Sequence, residues 1–290
     1  MTKRAQNIKI MNRKIENKTV GYQTEDGGGV KLVRVLSTRT IRTYDPILML
    51  DSFDSLNPAD YTKGFPLHPH RGIETVSYLA YGRMMHRDSA GHTDTIGDGE
   101  VQWMTAGSGI MHEEKIPPAE RMLGVQLWLN LPRKDKMAKP EYFAVKADTI
   151  QKIELEGGGV LNLLTGSYKE HKGHKGKYLP LDYYDIQLRP GASFEIDTDE
   201  NKSIALFTLE GGVEVEGEKV EEKTAVHLTQ GDKLIVKALD KPTHLLYISS
   251  DPLREPVAWG GPIVMNTEEE LDEAFSELQS GTFIKEEIKY

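Results

Sequence analysis

Short β-branched and apolar runs, cut apart by glycine turns, set the limits on what this chain can build. Val30–Leu36, Ile73–Tyr81, Gly124–Leu131, Tyr183–Leu188, Ser203–Leu209, Lys233–Val236 and Leu245–Ile248 are rich in Val, Ile, Leu, Thr and Tyr. Between such runs stand Asp26-Gly27-Gly28-Gly29, Gly97-Asp98-Gly99, Glu156-Gly157-Gly158-Gly159, Arg189-Pro190-Gly191 and Gln230-Gly231-Asp232. Many short strands at turn-marked intervals imply a β-sandwich or barrel. One segment reads differently. Thr267 is followed three residues later by Glu270, which makes a capping box, and Leu271, Ala274, Phe275 and Leu278 recur at helical spacing before Gly281. The expected fold is all-β with a short C-terminal helix over 267–279.

A chain of 290 residues is long enough for about two domains. The proline-led polar stretch Pro132-Arg133-Lys134-Asp135-Lys136, with Pro140 beyond it, marks a boundary. The expected division is 1–135 and 136–290, the helix belonging to the second part. The halves carry an echo: His112 follows Gly99 by thirteen residues, and His244 follows Gly231 by thirteen. A duplicated barrel would explain it. The segment Lys169 to Lys177 holds two histidines, His171 and His174, among lysines, and reads as a solvated loop.

Composition excludes several classes of function. The chain has no cysteine, so it has no thiol nucleophile, iron–sulfur ligand or thiolate zinc site, and any metal rests on His, Asp and Glu. With 36 Lys+Arg against 45 Asp+Glu, the formal charge of −9 argues against direct contact with nucleic acid. No run approaches the roughly 20 apolar residues of a membrane span, and the basic N-terminus lacks the apolar core of a secretion signal. A cytoplasmic protein without membrane attachment is expected. Gly27–Gly29 and Gly157–Gly159 lack the strand–loop–helix setting of a phosphate cradle, and no G-x-S-x-G elbow occurs.

Chemistry concentrates in two stretches. In Phe65-Pro66-Leu67-His68-Pro69-His70-Arg71-Gly72-Ile73-Glu74, an extended backbone places His68 and His70 on one face, and Glu74 with them if no bulge intervenes. In Gly107-Ser108-Gly109-Ile110-Met111-His112-Glu113-Glu114-Lys115, the same alternation groups His112 with Glu114 and turns Glu113 away. Imidazole suits Fe, Cu, Zn and Ni, a carboxylate shifts the balance towards the harder ions, and four protein ligands on a six-coordinate ion leave two places for a substrate oxygen and O₂. The competing reading makes His68 and His70 ordinary polar residues near a turn. Trp103, Trp128 and Trp259 are expected in the core or a pocket wall, and Met84, Met85, Met104 and Met111 in barrel packing.

The runs His68 to Leu79 (HPHRGIETVSYL), Val101 to Glu114 (VQWMTAGSGIMHEE) and Pro252 to Thr267 (PLREPVAWGGPIVMNT) closely resemble the pirin family of the cupin superfamily, from about residue 30 to 275. The resemblance implies two jelly-roll-like cupin β-barrels face to face, with iron in the N-terminal one only. It carries the ligands to His68, His70, His112 and Glu114. The sequence departs from the wider cupin pattern at Gly107, where proline is usual, and at Ile116, where asparagine is usual. Many cupins take their carboxylate from the position of Glu74, which is therefore the runner-up ligand or a hydrogen-bond partner to one. His86 and His92 are read as partners of the site or as surface residues. The second half has no counterpart of the histidine pair, since Asp199 stands twelve residues before Gly211 as His70 stands before Gly82.

The resemblance implies an Fe(2+)-dependent dioxygenase with quercetin 2,3-dioxygenase activity, other divalent transition metals being possible. A flavonol and O₂ would be its substrates, and Glu114 (or Glu74) would accept the proton of the flavonol hydroxyl. The alternative is an iron-binding redox-sensing regulator that acts through a protein partner. An isomerase, as in other cupins, is a third reading that the pirin-like motifs oppose.

Overall fold

The computed structural model describes residues 11–289. The chain begins with β1 (Ile15–Val20), β2 (Tyr22–Asp26), β3 (Val30–Leu36), β4 (Ile47–Ser55) and β5 (Phe65–His70). It continues through β6 (Ile73–Tyr81), β7 (Met84–Asp88), β8 (Thr93–Ile96), β9 (Val101–Thr105), β10 (Ile110–Lys115) and β11 (Met122–Asn130). Next come β12 (Glu141–Val145), β13 (Gln151–Leu155), β14 (Gly159–Thr165) and the small hairpin β15 (Ser167–Tyr168) and β16 (His171–Lys172). The second half follows with β17 (Leu181–Leu188), β18 (Ser193–Asp197), β19 (Ser203–Glu210), β20 (Val213–Val215) and β21 (Glu218–Val220). It ends with β22 (Thr224–Leu228), β23 (Lys233–Ala238), β24 (Thr243–Ser250), β25 (Ala258–Gly260), β26 (Ile263–Met265) and α1 (Glu268–Ser280). All seven strand-like runs of the sequence coincide with strands to within a few residues.

These strands make two barrels of one design. The first pairs a large sheet, in the order β12-β9-β6-β11-β4-β3-β2, with a small one, β5-β10-β7-β8. The second repeats it strand for strand: β1-β22-β19-β24-β17-β14-β13 and β18-β23-β20-β21. The large sheets face each other. Val76, Tyr78, Trp103, Val125 and Leu127 of the first share one apolar core with Tyr183, Ala205, Phe207, Leu246 and Ile248 of the second. Tyr78 donates from its hydroxyl to Asp185 Oδ2 across that seam at 2.7 Å.

The expected cut at residue 135 is corrected by the pairing. β1 completes the large sheet of the second barrel on β22, while β12 completes that of the first on β9. The C-terminal segment also returns to the first barrel: Val264 N donates to Arg71 O, and Lys289 N donates to Ser89 O. The polar composition around residue 135 misled for a related reason. Lys136 is buried, its ammonium held by Gly72 O, Asn130 Oδ1 and Val264 O.

The helix begins at its capping box, Thr267 accepting from Glu270 N, and stops at Gly281 in the left-handed region. No helix among the described residues is long and apolar enough to cross a membrane.

Candidate metal centre

β5 and β10 lie side by side, antiparallel, with His112 opposite His68 and Ile110 opposite His70. A bulge follows: the next step pairs Glu114 with Phe65, so the extra residue sits in β5 and the alternation of β10 is undisturbed. The turn into β10 depends on glycine. Gly107 has φ +50, and a Cβ there would lie 2.0 Å from Ala138 O.

The three histidines converge. Their ring centres are 4.3 Å (His68–His112), 4.8 Å (His68–His70) and 5.0 Å (His70–His112) apart, and one ring nitrogen from each falls within 4.8 Å of the others. Hydrogen bonds fix two tautomers. His68 Nδ1 donates to Pro66 O at 2.8 Å, and His70 Nδ1 donates to Pro262 O at 3.0 Å. Both Nε2 atoms therefore carry lone pairs, and they face each other at 3.1 Å. Two lone pairs at that distance repel unless a cation lies between them. Nitrogens about 2.1 Å from one ion at right angles would stand roughly 3.0 Å apart.

His112 makes the same demand more sharply. It is fully buried, and neither ring nitrogen has a hydrogen-bond partner among the described residues. Burial, with the neighbouring imidazoles, pushes His112 well below the usual histidine range and His70 down to about 3. All three rings are then neutral and ready to ligate. The donor set fits a divalent transition ion.

Glu114 and Glu113 part as strand alternation requires. Glu113 faces outward to Arg87 at 2.9 Å. Glu114 is buried and lines the same cavity as His68 and His70. Its Oε1 accepts from Gln102 Nε2 at 2.5 Å, its Oε2 has no partner among the described residues, and burial raises it to about 7. Its oxygens lie outside the group formed by the three ring nitrogens.

That cavity measures about 770 Å³. Met49, Phe65, Trp128 and Trp259 give it apolar walls, and Trp128 packs edge-on against His70 with ring centres 4.8 Å apart. A polar row crosses the inner face of the large sheet beneath it. Arg34, Asp51, Gln126, Ser77 and Gln102 are successive cross-strand neighbours from β3 to β9. Arg34 grips Asp51 through Nε and a terminal nitrogen at 2.9 and 2.7 Å. The row ends at Glu114 through Gln102.

The comparisons with known proteins agree with this architecture. Residues 29–129 match the family described as Pirin, and residues 183–284 match the Pirin C-terminal cupin domain. A pirin-like protein of Caulobacter vibrioides is 40% identical, covering 91% of this chain and 96% of its own. The chain belongs to the pirin family. Human pirin is 35% identical, over 92% of this chain and 93% of its own. The crystal structure of a quercetin 2,3-dioxygenase from Acinetobacter baumannii is similar at a TM-score of 0.86 and 34% identity, covering 94% of this chain and 99% of that one.

Other candidate residues of this pirin fall into place by strand. Glu74 is not with the histidines. The chain leaves β5 at Gly72, with φ +76, and restarts in the large sheet, where Glu74 shares a face with Val76 and Tyr78 at the seam between barrels. There its Oε1 accepts from Thr105 Oγ1 at 2.7 Å, and burial raises it to about 7. His86 is buried, its ring 5.4 Å from that of His112 and stacked on Tyr142, with Nε2 donating to Asp88 Oδ2 at 2.9 Å. His92, more exposed, binds the same Asp88.

His244 is no counterpart of His112. It lies on β24, which repeats β11, and is bound to Asp185 and Glu210. His171 and His174 form no cluster: His171 Nδ1 bonds Gln151, and His174 packs on Phe143 with ring centres 4.0 Å apart. Sequence reading missed Arg34, Asp51, Gln102 and Gln126. Each is a polar residue with apolar neighbours on at least one side, at an inward position of a strand, a signal that was there to use.

Proposed function

We propose that this chain is a metal-dependent dioxygenase of the quercetin 2,3-dioxygenase type, using Fe(2+) or a substitute divalent transition metal. It would open the ring of a flavonol with O₂, both oxygen atoms entering the products and one ring carbon leaving as carbon monoxide. The observation that carries this reading is the buried, unpartnered imidazole of His112. Together with the opposed Nε2 atoms of His68 and His70, it calls for an ion at the base of a cavity sized for a small aromatic molecule. The similarity to the Acinetobacter quercetin 2,3-dioxygenase supports the same reaction class.

When bound, a transition ion supplies Lewis acidity towards a phenolic oxygen and one-electron chemistry towards O₂. His68, His70 and His112 hold it. Glu114 offers Oε2 as the fourth ligand of the resting site and as acceptor of the proton that the substrate hydroxyl gives up. Gln102 keeps the carboxylate turned for that exchange by binding Oε1. Trp128, Met49 and Phe65 exclude water from one side of a flat ring, while Gln126 and the Arg34–Asp51 pair meet its oxygen substituents.

The test is metal analysis of purified protein, anaerobic reconstitution with Fe(II), then quercetin and O₂. Flavonol absorbance should fall with release of carbon monoxide, and His70→Ala should lose both metal and turnover. Turnover that persists in that variant overturns the reading. Bound iron without turnover moves it to a redox-sensing regulator with a protein partner.

A further inference from the structure

A cavity of about 900 Å³ lies in the second barrel, away from the histidines. The duplication explains its place. β18 and β23 stand where β5 and β10 stand in the first barrel, and their inward pairs are Phe194–Val236 and Ile196–Leu234. Counted from Gly82 and Gly211, Ile196–Leu234 takes the register position of His68–His112, and Phe194–Val236 that of Phe65–Glu114. The positions of His68, His112 and Glu114 have become apolar wall in Ile196, Leu234 and Val236, and the space above them has stayed open.

The base of this space is polar. Asp182 and Ser249 are cross-strand neighbours on β17 and β24, and Tyr247 lies next along the same inner face. Asp182 Oδ1 accepts from Ser167 N at 2.9 Å, which leaves Oδ2 to the cavity. Ser249 and Tyr247 are each 3% exposed. Both side chains stand two residues apart on β24 and line the cavity. Burial already holds the Asp182 carboxyl above its ordinary range, a state that a cation would relieve.

Charge selects the ligand class. The lining holds six carboxylates against three ammonium groups. Two of those are committed, Lys202 to Asp251 and Lys233 to Glu195, each at 2.6 Å. The third, Lys169, puts its ammonium 5.6 Å from the centre of the Tyr168 ring at the mouth, so that aromatic face already receives a cation. An anion meets a net negative wall, and a neutral phenol gains a hydrogen bond from the carboxylate but not the attraction of a second full charge. We propose that the second barrel binds an organic ammonium ion with a small aromatic body, its nitrogen on Asp182 and the hydroxyls of Ser249 and Tyr247, its body against Phe194 and Ile196. This inference is independent of the reaction assigned to the first barrel.

Tyramine, 4-ethylphenol and 4-hydroxyphenylacetate share one shape and differ in charge. Calorimetric titration of the full chain should give saturable 1:1 binding for tyramine, at least about tenfold tighter than for the other two. His70→Ala should leave that affinity unchanged. Asp182→Asn keeps the acceptor for Ser167 N and should lose about tenfold. Tyr247→Phe, which keeps the ring, should weaken binding a few fold with its melting temperature preserved. Equal affinity for the three probes, no saturation by tyramine below about 10 mM, indifference to Asp182→Asn, or loss of binding in His70→Ala would each overturn the proposal.

Discussion

Replacing His112 by leucine tests the metal centre through stability alone. A neutral imidazole offers one donor and one acceptor, and at His112 both are buried without partners. Each unmade hydrogen bond costs about 1–3 kcal/mol. Leucine removes both polar atoms at similar volume, and some of the gain is offset by repacking against His70 and His86. In metal-free protein, His112→Leu should therefore be more stable than the parent by about 1–3 kcal/mol, while losing the ability to retain the ion. The assay is urea denaturation after chelation, alongside metal content of the unchelated protein.

The sign with pH is also set. The folded-state pKa of His112 lies well below its unfolded value, so the unfolded chain binds the extra proton as pH falls below about 6.5. The parent loses that contribution on acidification and the variant does not. Their difference should widen below pH 6.5 by at most about 1.4 kcal/mol per unit. A variant less stable than its parent in the absence of metal, with metal content intact, would refute the reasoning and make His112 a packed core residue.

Glu113→Gln should leave metal content and turnover within about twofold of the parent, since its partner Arg87 lies outside the cavity, whereas Glu114→Gln should lower turnover at least about a hundredfold; equal effects in steady-state assays would contradict the facing of β10. His244, raised to about 9 chiefly by Asp185 against its own burial, contributes stability that is fully present below about pH 6.5 and lost as pH rises through 9. Urea midpoints taken from pH 6 to 10 should fall for the parent and stay flatter for His244→Gln. Arg71 holds the C-terminal tail through Phe283 O at 2.8 Å and Glu277 at 2.7 Å. Arg71→Leu should free that tail to proteolysis and speed loss of metal to a chelator, and unchanged rates would show that the tail does not support His70.

Local alternation was legible wherever a strand runs straight. The histidine pair lies within β5, the divergence of Glu113 and Glu114 within β10, and the bulge between those strands falls on β5, where it reorients nothing on β10. Parity failed where the backbone changed sheet. Extending the count from His70 to Glu74 crosses Gly72, whose Cβ would lie 1.9 Å from Val264 O, and after that turn the faces are unrelated. The thirteen-residue echo failed in the same manner. It matched the β8–β9 turn of one barrel to the β22–β23 turn of the other, one strand out of phase, and so paired His112 with a residue of the wrong strand. The closure of the metal centre had no signature to read, because what orients His70 is the main-chain oxygen of Pro262. Lys136 looked like linker because its three acceptors come from segments far apart in the chain.

The exchange of ends between barrels imposes an order on biosynthesis. Every strand of the first barrel has been made once β12 emerges from the ribosome, yet Pro262 follows more than about a hundred residues later. At roughly 5–20 residues per second, the nascent barrel waits on the order of 5–20 s without the group that fixes His70. The proposed ion site is therefore complete only in the finished polypeptide, and a chain released early carries the histidines without the carbonyl that aims one of them.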